Sequence, residues 1–282
     1  TQYIQDLYRF YKLNPARNFF NDIFQMKMDI HNAGFFRKIV SNDQVIRNIG
    51  EFYFEKSYYK RALDIFLKLG EKGETDFELF QKIGYSFQKL RQFEKAVDYY
   101  KKAELYDKNK AWNYKKLAFC YQRSGNPEKA LQYFFEAEKI EPENLYIQAN
   151  IGYCYLDLKQ YEKALKYYFK VEYLEPSNIK VMRPISWCYF VTGNFEGAKK
   201  YAERVIAKEA NKHDHLNLGH IELCLGNKET AIQHYLKSLE LYGNHYDQFV
   251  DEFHQDQQHL ISHGIRKDDI PIILDYIRYL EE

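Results

Sequence analysis

Residues 161–176, YEKALKYYFKVEYLEP, nearly restate residues 127–142, PEKALQYFFEAEKIEP, and the two stretches lie 34 positions apart. A chain that repeats itself at a fixed period is building copies of one supersecondary unit, and the copies stack because a lone one cannot bury its apolar face. Sliding the sequence against itself by 34 sets out four gapless units, 43–76, 77–110, 111–144 and 145–178, then 179–211, one residue short, and 212–245.

Numbered within a unit, position 8 is always small: Gly50, Gly84, Ala118, Gly152, Ser186 and Gly219. Position 20 is always alanine: Ala62, Ala96, Ala130, Ala164, Ala198 and Ala231. Position 11 is aromatic in Tyr53, Phe87, Tyr121, Tyr155 and Tyr189, whereas the last unit has Glu222 there. Positions 4, 7, 8 and 11 fall on one stripe of a first helix, and 17, 20, 24 and 27 on one stripe of a second. Small residues at 8 and 20 let the two backbones approach, and large ones at 11 and 24 fill the space beside them. Gly125-Asn126-Pro127, Gly193-Asn194 and Gly226-Asn227 supply the turn between the helices, and Glu141-Pro142 and Glu175-Pro176 end the second helix.

This pattern resembles the tetratricopeptide repeat, a 34-residue helix-turn-helix unit. The resemblance spans 43–245 and implies an all-α fold, a right-handed α-solenoid whose first helices line a concave groove. Departures are local. The tryptophan preferred at position 4 is replaced by Ile46, Phe80, Tyr114, Gln148, Met182 and His215, and the proline near position 32 survives only as Pro142 and Pro176.

The flanks do not hold the register. In residues 1–42, Ile4–Pro15 reads as the tail of a second helix cut from a longer array, and Ala16–Val40 as one or two degenerate helices. Beyond His245, residues 246–264 read as an amphipathic helix closed by Gly264. Asp268 is expected to cap a final helix with Ile272, Ile273, Tyr276 and Leu280 on one side. A solenoid end must present a polar outer face, and 246–282 is read as that cap.

Composition narrows the partners. Forty-one basic residues nearly balance 40 acidic ones, so no global field points to nucleic acid or an anionic membrane surface. Aromatics interleaved with lysines could stack bases of a single strand, but the near-neutral total speaks against it. No run of eighteen apolar residues is present, so no membrane span is expected. Cys120, Cys154 and Cys188 are each 34 apart, hence at equivalent places in successive units. Stacked helices lie roughly 8–10 Å apart, too far for a disulfide, so free thiols and a reducing, cytoplasmic compartment are expected.

The chain has no nucleophile elbow, phosphate-cradling glycine loop or zincin motif, and no enzymatic activity or cofactor is expected. Eight of nine histidines follow residue 210, and His259 and His263 sit four apart, a metal-ligand spacing without an evident third ligand. Solvated surface histidines are the expected account of that pair. Pro184 falls inside a first helix and is expected to kink it or mark an irregular first turn.

A second face of each first helix carries positions 2, 5, 9 and 12. The resemblance implies that this face lines the groove. Position 9 reads Glu51, Tyr85, Phe119, Tyr153, Trp187 and His220, a ladder that either contacts a partner or packs between repeats. Around it stand Lys82, Lys89, Lys115, Lys116, Arg123, Lys180 and Arg183, against Glu78 and Asp157. Chaperone-binding members of the family hold a C-terminal carboxylate in a lysine and asparagine clamp. Lys115, Asn150 and Lys180 match it, but Phe119 and Pro184 stand where an asparagine and an arginine are needed. The expected function is a non-catalytic scaffold holding a peptide, acidic or C-terminal, through Tyr85, Lys115, Lys116, Phe119, Asn150, Tyr153, Lys180, Arg183, Trp187 and Asn217. The alternative is a self-assembly or regulatory domain of a longer protein, which would include homo-oligomers, and the weaker one a metal-binding or enzymatic fragment.

Overall fold

A computed structural model describes residues 43–73, 76–106 and 108–281; the expectations placed on 1–42 lie outside them. The described residues form fourteen helices and no strand. They fall into two compact units, one ending at Ile140 and the other beginning at Glu141. The first contains α1 (Asp43–Glu55), α2 (Tyr59–Glu71), α3 (Phe77–Lys89), α4 (Phe93–Glu104), α5 (Lys110–Arg123) and α6 (Pro127–Ile140). The second contains α7 (Leu145–Asp157), α8 (Tyr161–Leu174), α9 (Ile179–Val191), α10 (Phe195–Ile206), α11 (Lys212–Cys224), α12 (Lys228–Leu241), α13 (Tyr246–Ser262) and α14 (Asp269–Glu281).

Each turn between paired helices repeats one device. Position 15 has left-handed backbone throughout: Ser57, Arg91, Gly125, Lys159, Gly193 and Gly226, with φ from 57° to 85°. The N–H of position 16 then donates to the carbonyl of position 11 at 2.8–2.9 Å, as in Gln92 to Phe87 and Asn194 to Tyr189. This is the Schellman closure, which satisfies carbonyls left over at a helix end. Only three of the six turns use glycine, so Ser57, Arg91 and Lys159 carry a steric penalty of about 1 kcal/mol each. The next first helix is opened by the residue before it. Asp76 accepts from the Leu79 N–H at 2.8 Å, Asn144 from Tyr146 and Ile147, and Asn178 from Lys180. Asn211 and Asp214 form a reciprocal capping box.

The core is the stripe expected from the repeat. All six position-20 alanines are fully buried, and Phe66, Tyr100, Phe134, Tyr168 and Tyr235 at position 24 are within 2% of complete burial. Position 8 is small because these rings lie on its backbone: a Cβ on Gly84 would stand 2.8 Å from Tyr100 Cε1, and one on Gly152 2.7 Å from Tyr168 Cε1. Where position 8 grows to Ser186, position 24 shrinks to Ala202, and the Ser186 hydroxyl donates to the Ala198 carbonyl at 2.8 Å. Truncating one of these rings to alanine should cost about 3–5 kcal/mol. Glu222, the exception at position 11, is buried and takes bonds from Lys199 at 2.9 Å and Asn227 at 2.7 Å. Burial alone would raise its carboxyl, but those two donors outweigh it and hold the group below the usual range. Cys120, Cys154 and Cys188 are buried free thiols, as their spacing implies. Pro184 lies within α9, which continues past it to Val191.

The C-terminal helices depart from expectation in two ways. On α14 the buried face is Ile270, Leu274 and Ile277, while Ile272 is 66% exposed, Tyr276 51%, Tyr279 73% and Leu280 43%. Ile272, Tyr276 and Leu280 are thus exposed, alongside Asp275, Arg278 and Glu281, so the exposed surface of the final helix is part apolar where a cap was expected to be polar, and Ile272 and Tyr276 line a hollow with Leu223, Ile232 and Ile265. Helix α13 buries Phe249, Phe253 and Leu260, and its last turns reach back past α11 to α9.

Candidate functional site

The face made by positions 2, 5, 9 and 12 differs in what covers it. In the first unit Glu51, at position 9 of α1, is neutralised by Lys82 at 2.7 Å and Arg47 at 3.6 Å. Half-buried Tyr85, its equivalent on α3, leans on Phe54 and Tyr59 with ring centres 5.6 and 5.8 Å apart. Phe54 and Tyr59 are themselves in edge contact at 5.7 Å. Opposite stands Trp112, position 2 of α5, held edge-on against Tyr100. Phe54, Tyr59, Tyr85 and Trp112, with Glu55, Ser57, Gln81 and Lys82, line a hollow of about 460 Å³ that is open to solvent.

The Lys116 ammonium lies over two of those rings, 5.1 Å from the Tyr85 ring centre and 5.3 Å from that of Trp112. Lys89 lies 5.2 Å from the same Tyr85 ring. Burial first, then the neighbouring charges of Lys89 and Lys115, hold the Lys116 ammonium below the usual lysine range, against the opposing pull of Cys120. The Tyr85 hydroxyl keeps Lys89 above it. Half-buried Phe119 contacts Phe93 edge-on at 6.3 Å and carries the Arg123 guanidinium 5.4 Å from its centre. Lys115, next to Lys116 in sequence, is half-buried.

In the second unit Tyr153 is 46% exposed and Lys180 is exposed. The Asn150 amide donates to the Tyr146 carbonyl of its own helix at 2.7 Å, and Asn217 is half-buried. Arg183 is engaged within the fold: its guanidinium forms a two-pronged bond to buried Asp214, at 2.8 and 3.0 Å, and donates to the Glu209 carbonyl at 2.9 Å. It ties the start of α11 to α9.

Trp187 is covered by α13. His259 meets its ring edge-on at 5.3 Å, and Phe190 lies beside it at 5.5 Å. His263 packs on Phe190 at 5.4 Å and Phe195 at 5.0 Å. The expectation of solvated surface histidines is therefore corrected: a spacing of four puts both imidazoles on one side of α13, and that side is pressed on aromatic rings of α9 and α10. One residue further along the ladder, His220 is wholly buried against Phe253 at 4.8 Å, with Nδ1 2.9 Å from the Tyr235 hydroxyl and Nε2 3.7 Å from Asp256. Burial, reinforced by His259, pushes its imidazole down to about 3. Burial, reinforced by Glu252, pushes the Asp256 carboxyl up to about 6.

Sequence reasoning thus missed Trp112, although it occupies position 2 of the same stripe, and Phe54 and Tyr59, at positions 12 and 17 of the first unit. It also missed the return of α13. The only available signal there was the aromatic spacing of Phe249 and Phe253, which marks a buried face without naming what buries it.

The family model described as tetratricopeptide repeat matches residues 77–110, 145–178 and 215–245. A search of curated proteins finds no match. Solved structures resemble the chain in fold. Residues 41 to the end of MamA from Desulfovibrio magneticus RS-1 share 19% identity with a TM-score of 0.57, covering 60% of this chain and 96% of that one. Pseudomonas aeruginosa pilF shares 18%, with a TM-score of 0.59 and coverage of 76% and 97%. The C-terminal part of a tetratricopeptide-repeat protein from Cytophaga hutchinsonii shares 14%, with a TM-score of 0.62 and coverage of 80% and 98%. Among the described residues no helix is long and apolar enough to cross a membrane.

Proposed function

We propose, from the premise that the chain is a tetratricopeptide-repeat protein, that it is a non-catalytic scaffold holding a peptide segment of a partner protein against the position-9 face of its first helices. The observation that carries this reading is Tyr153, 46% exposed on a helix whose neighbouring positions, Gly152 and Cys154, are buried. Packing does not need that ring, and aromatic side chains are the usual anchors of protein interfaces. Tyr85, Phe119, Lys115 and Lys116 in the first unit, and Asn150, Tyr153, Lys180 and Asn217 in the second, are the proposed contacts. Arg183 and Trp187 support the face from beneath, because Asp214 and His259 already occupy them. Tetratricopeptide repeats are generally not enzymes, and the proposal assigns no reaction.

A peptide array probed with the wild type and with a Lys115→Ala, Tyr153→Ala double variant tests it. The variant should lose most of the bound peptides while keeping its circular dichroism; identical arrays would sink the assignment. The exposed stripe of Ile272, Tyr276, Tyr279 and Leu280 favours a second reading, end-to-end self-association. Its test is sedimentation at two concentrations, with Ile272→Lys expected to hold the chain monomeric.

A further inference from the structure

The hollow in the first unit combines two features, an aromatic wall and an uncompensated cation beside it. Three of its walls are rings already in mutual contact, Phe54, Tyr59 and Tyr85, and the fourth is Trp112, so its surface is aromatic and its shape is set by packing. Over two of these rings lies a half-buried lysine, Lys116. Lys82 is neutralised by Glu51, but among the described residues Lys116 has no carboxylate partner. The ring faces of Tyr85 and Trp112 attract its charge without cancelling it, and Lys89 and Lys115 add more of the same sign. A partly desolvated cation costs free energy unless an anion meets it.

We infer that this hollow takes an aromatic or large apolar side chain of a partner peptide, and that Lys116 and Lys89 take an acidic side chain next to it in the same peptide. The inference rests on the peptide-scaffold reading and names the partner's chemistry: an internal segment with an aromatic anchor flanked by aspartate or glutamate. A chain terminus is the poorer fit. Gripping both oxygens of a terminal carboxylate calls for amide donors beside the lysines, and Phe119 stands at that place on α5. The volume, about 460 Å³, lies at the lower end of the range of ligand-binding clefts, enough for one ring.

The test uses the full chain and a fluorescein-labelled, terminally blocked peptide, Asp-Glu-Phe-Glu-Asp, read by anisotropy. Binding should weaken at high salt and be lost when phenylalanine is replaced by serine or the acids by lysine. Lys116→Met should weaken it at least tenfold, Lys116→Arg should retain it, and Lys166→Met, on exposed α8 surface, should change nothing. Lys116→Met should also raise the melting temperature, because it removes an unpaired half-buried charge; a merely structural lysine would lower it. Equal affinity for wild type and Lys116→Met, a lower melting point for that variant, or binding only by the unblocked peptide would each overturn the inference. If the acidic peptide fails while arrays still return other peptides lost in the Lys115→Ala, Tyr153→Ala variant, this inference falls and the scaffold reading stands.

Discussion

Replacing Gly84 by alanine should destabilise the protein, although the same change in an exposed helix normally does the reverse. Alanine is favoured over glycine inside a helix by about 1 kcal/mol. At Gly84, however, the added methyl would meet Tyr100 at Cε1 (2.8 Å), Cδ1 (2.9 Å) and Cγ (3.2 Å), where ordinary contact begins near 3.4 Å. The ring must therefore retreat by about 0.6 Å, the difference between 3.4 and 2.8 Å. It has nowhere to go. Tyr100 is fully buried, its hydroxyl donates to Gln88 at 2.8 Å, its carbonyl accepts from buried Asn113 at 2.9 Å, and Trp112 abuts its edge. Overpacking of this kind costs about 1–3 kcal/mol, which outweighs the propensity gain and leaves a net loss of up to about 2 kcal/mol. Gly70, in the last turn of α2, has nothing within 4 Å of its would-be Cβ, so Gly70→Ala should stabilise by up to about 1 kcal/mol. Adding Tyr100→Phe to Gly84→Ala should recover part of the loss, since it frees the ring from Gln88 and recreates the pairing of Ala118 with Phe134 in the next repeat. Urea unfolding followed by circular dichroism measures all four proteins. If Gly84→Ala and Gly70→Ala shift the midpoint in the same direction, the close approach of ring and backbone is not what keeps position 8 small.

Two further outcomes follow from buried titratable groups. Below pH 6.5 the unfolded chain protonates His220, which the folded chain refuses down to about 3, so acidification withdraws up to about 1.4 kcal/mol per pH unit. Asp256 acts in the opposite sense: the folded chain accepts its proton at about 6 and the unfolded chain only at 3.8, which returns stability between those values. Asp256→Asn removes the compensation, and its melting temperature should fall more steeply than that of the wild type between pH 6 and 4; parallel curves would refute the coupling. Burial pushes the Cys120 and Cys188 thiols up to about 12 and Cys224 up to about 11, so iodoacetamide at pH 8 should label these thiols only after unfolding, and rapid labelling of the native protein would contradict the packing.

Much of the architecture was legible because it is local. A glycine or alanine at position 8 implies a ring at position 24 of the same unit, and the exception, Ser186 with Ala202, obeys the same volume rule. The Schellman turns were only half visible: glycine marked three of them, while Ser57, Arg91 and Lys159 adopt the same left-handed backbone without any compositional sign. The candidate site was less legible still. Tyr85, Phe119 and Tyr153 stood out by register, yet Trp112, which lines the aromatic hollow, is at a position where no other first helix of its unit carries a tryptophan.

The period alone determined that residues 43–245 would pair as helices and which side of each would be buried, since these depend on residues within about one repeat of each other. Which parts of the exposed stripe stay open was decided by tertiary contacts. Helix α13 comes back to lay His259 on Trp187, 72 positions earlier, and Asp214 takes up Arg183. An amphipathic pattern states that a face must be covered; the identity of the cover depends on which distant surface matches it in shape and charge, and that is a property of the folded chain.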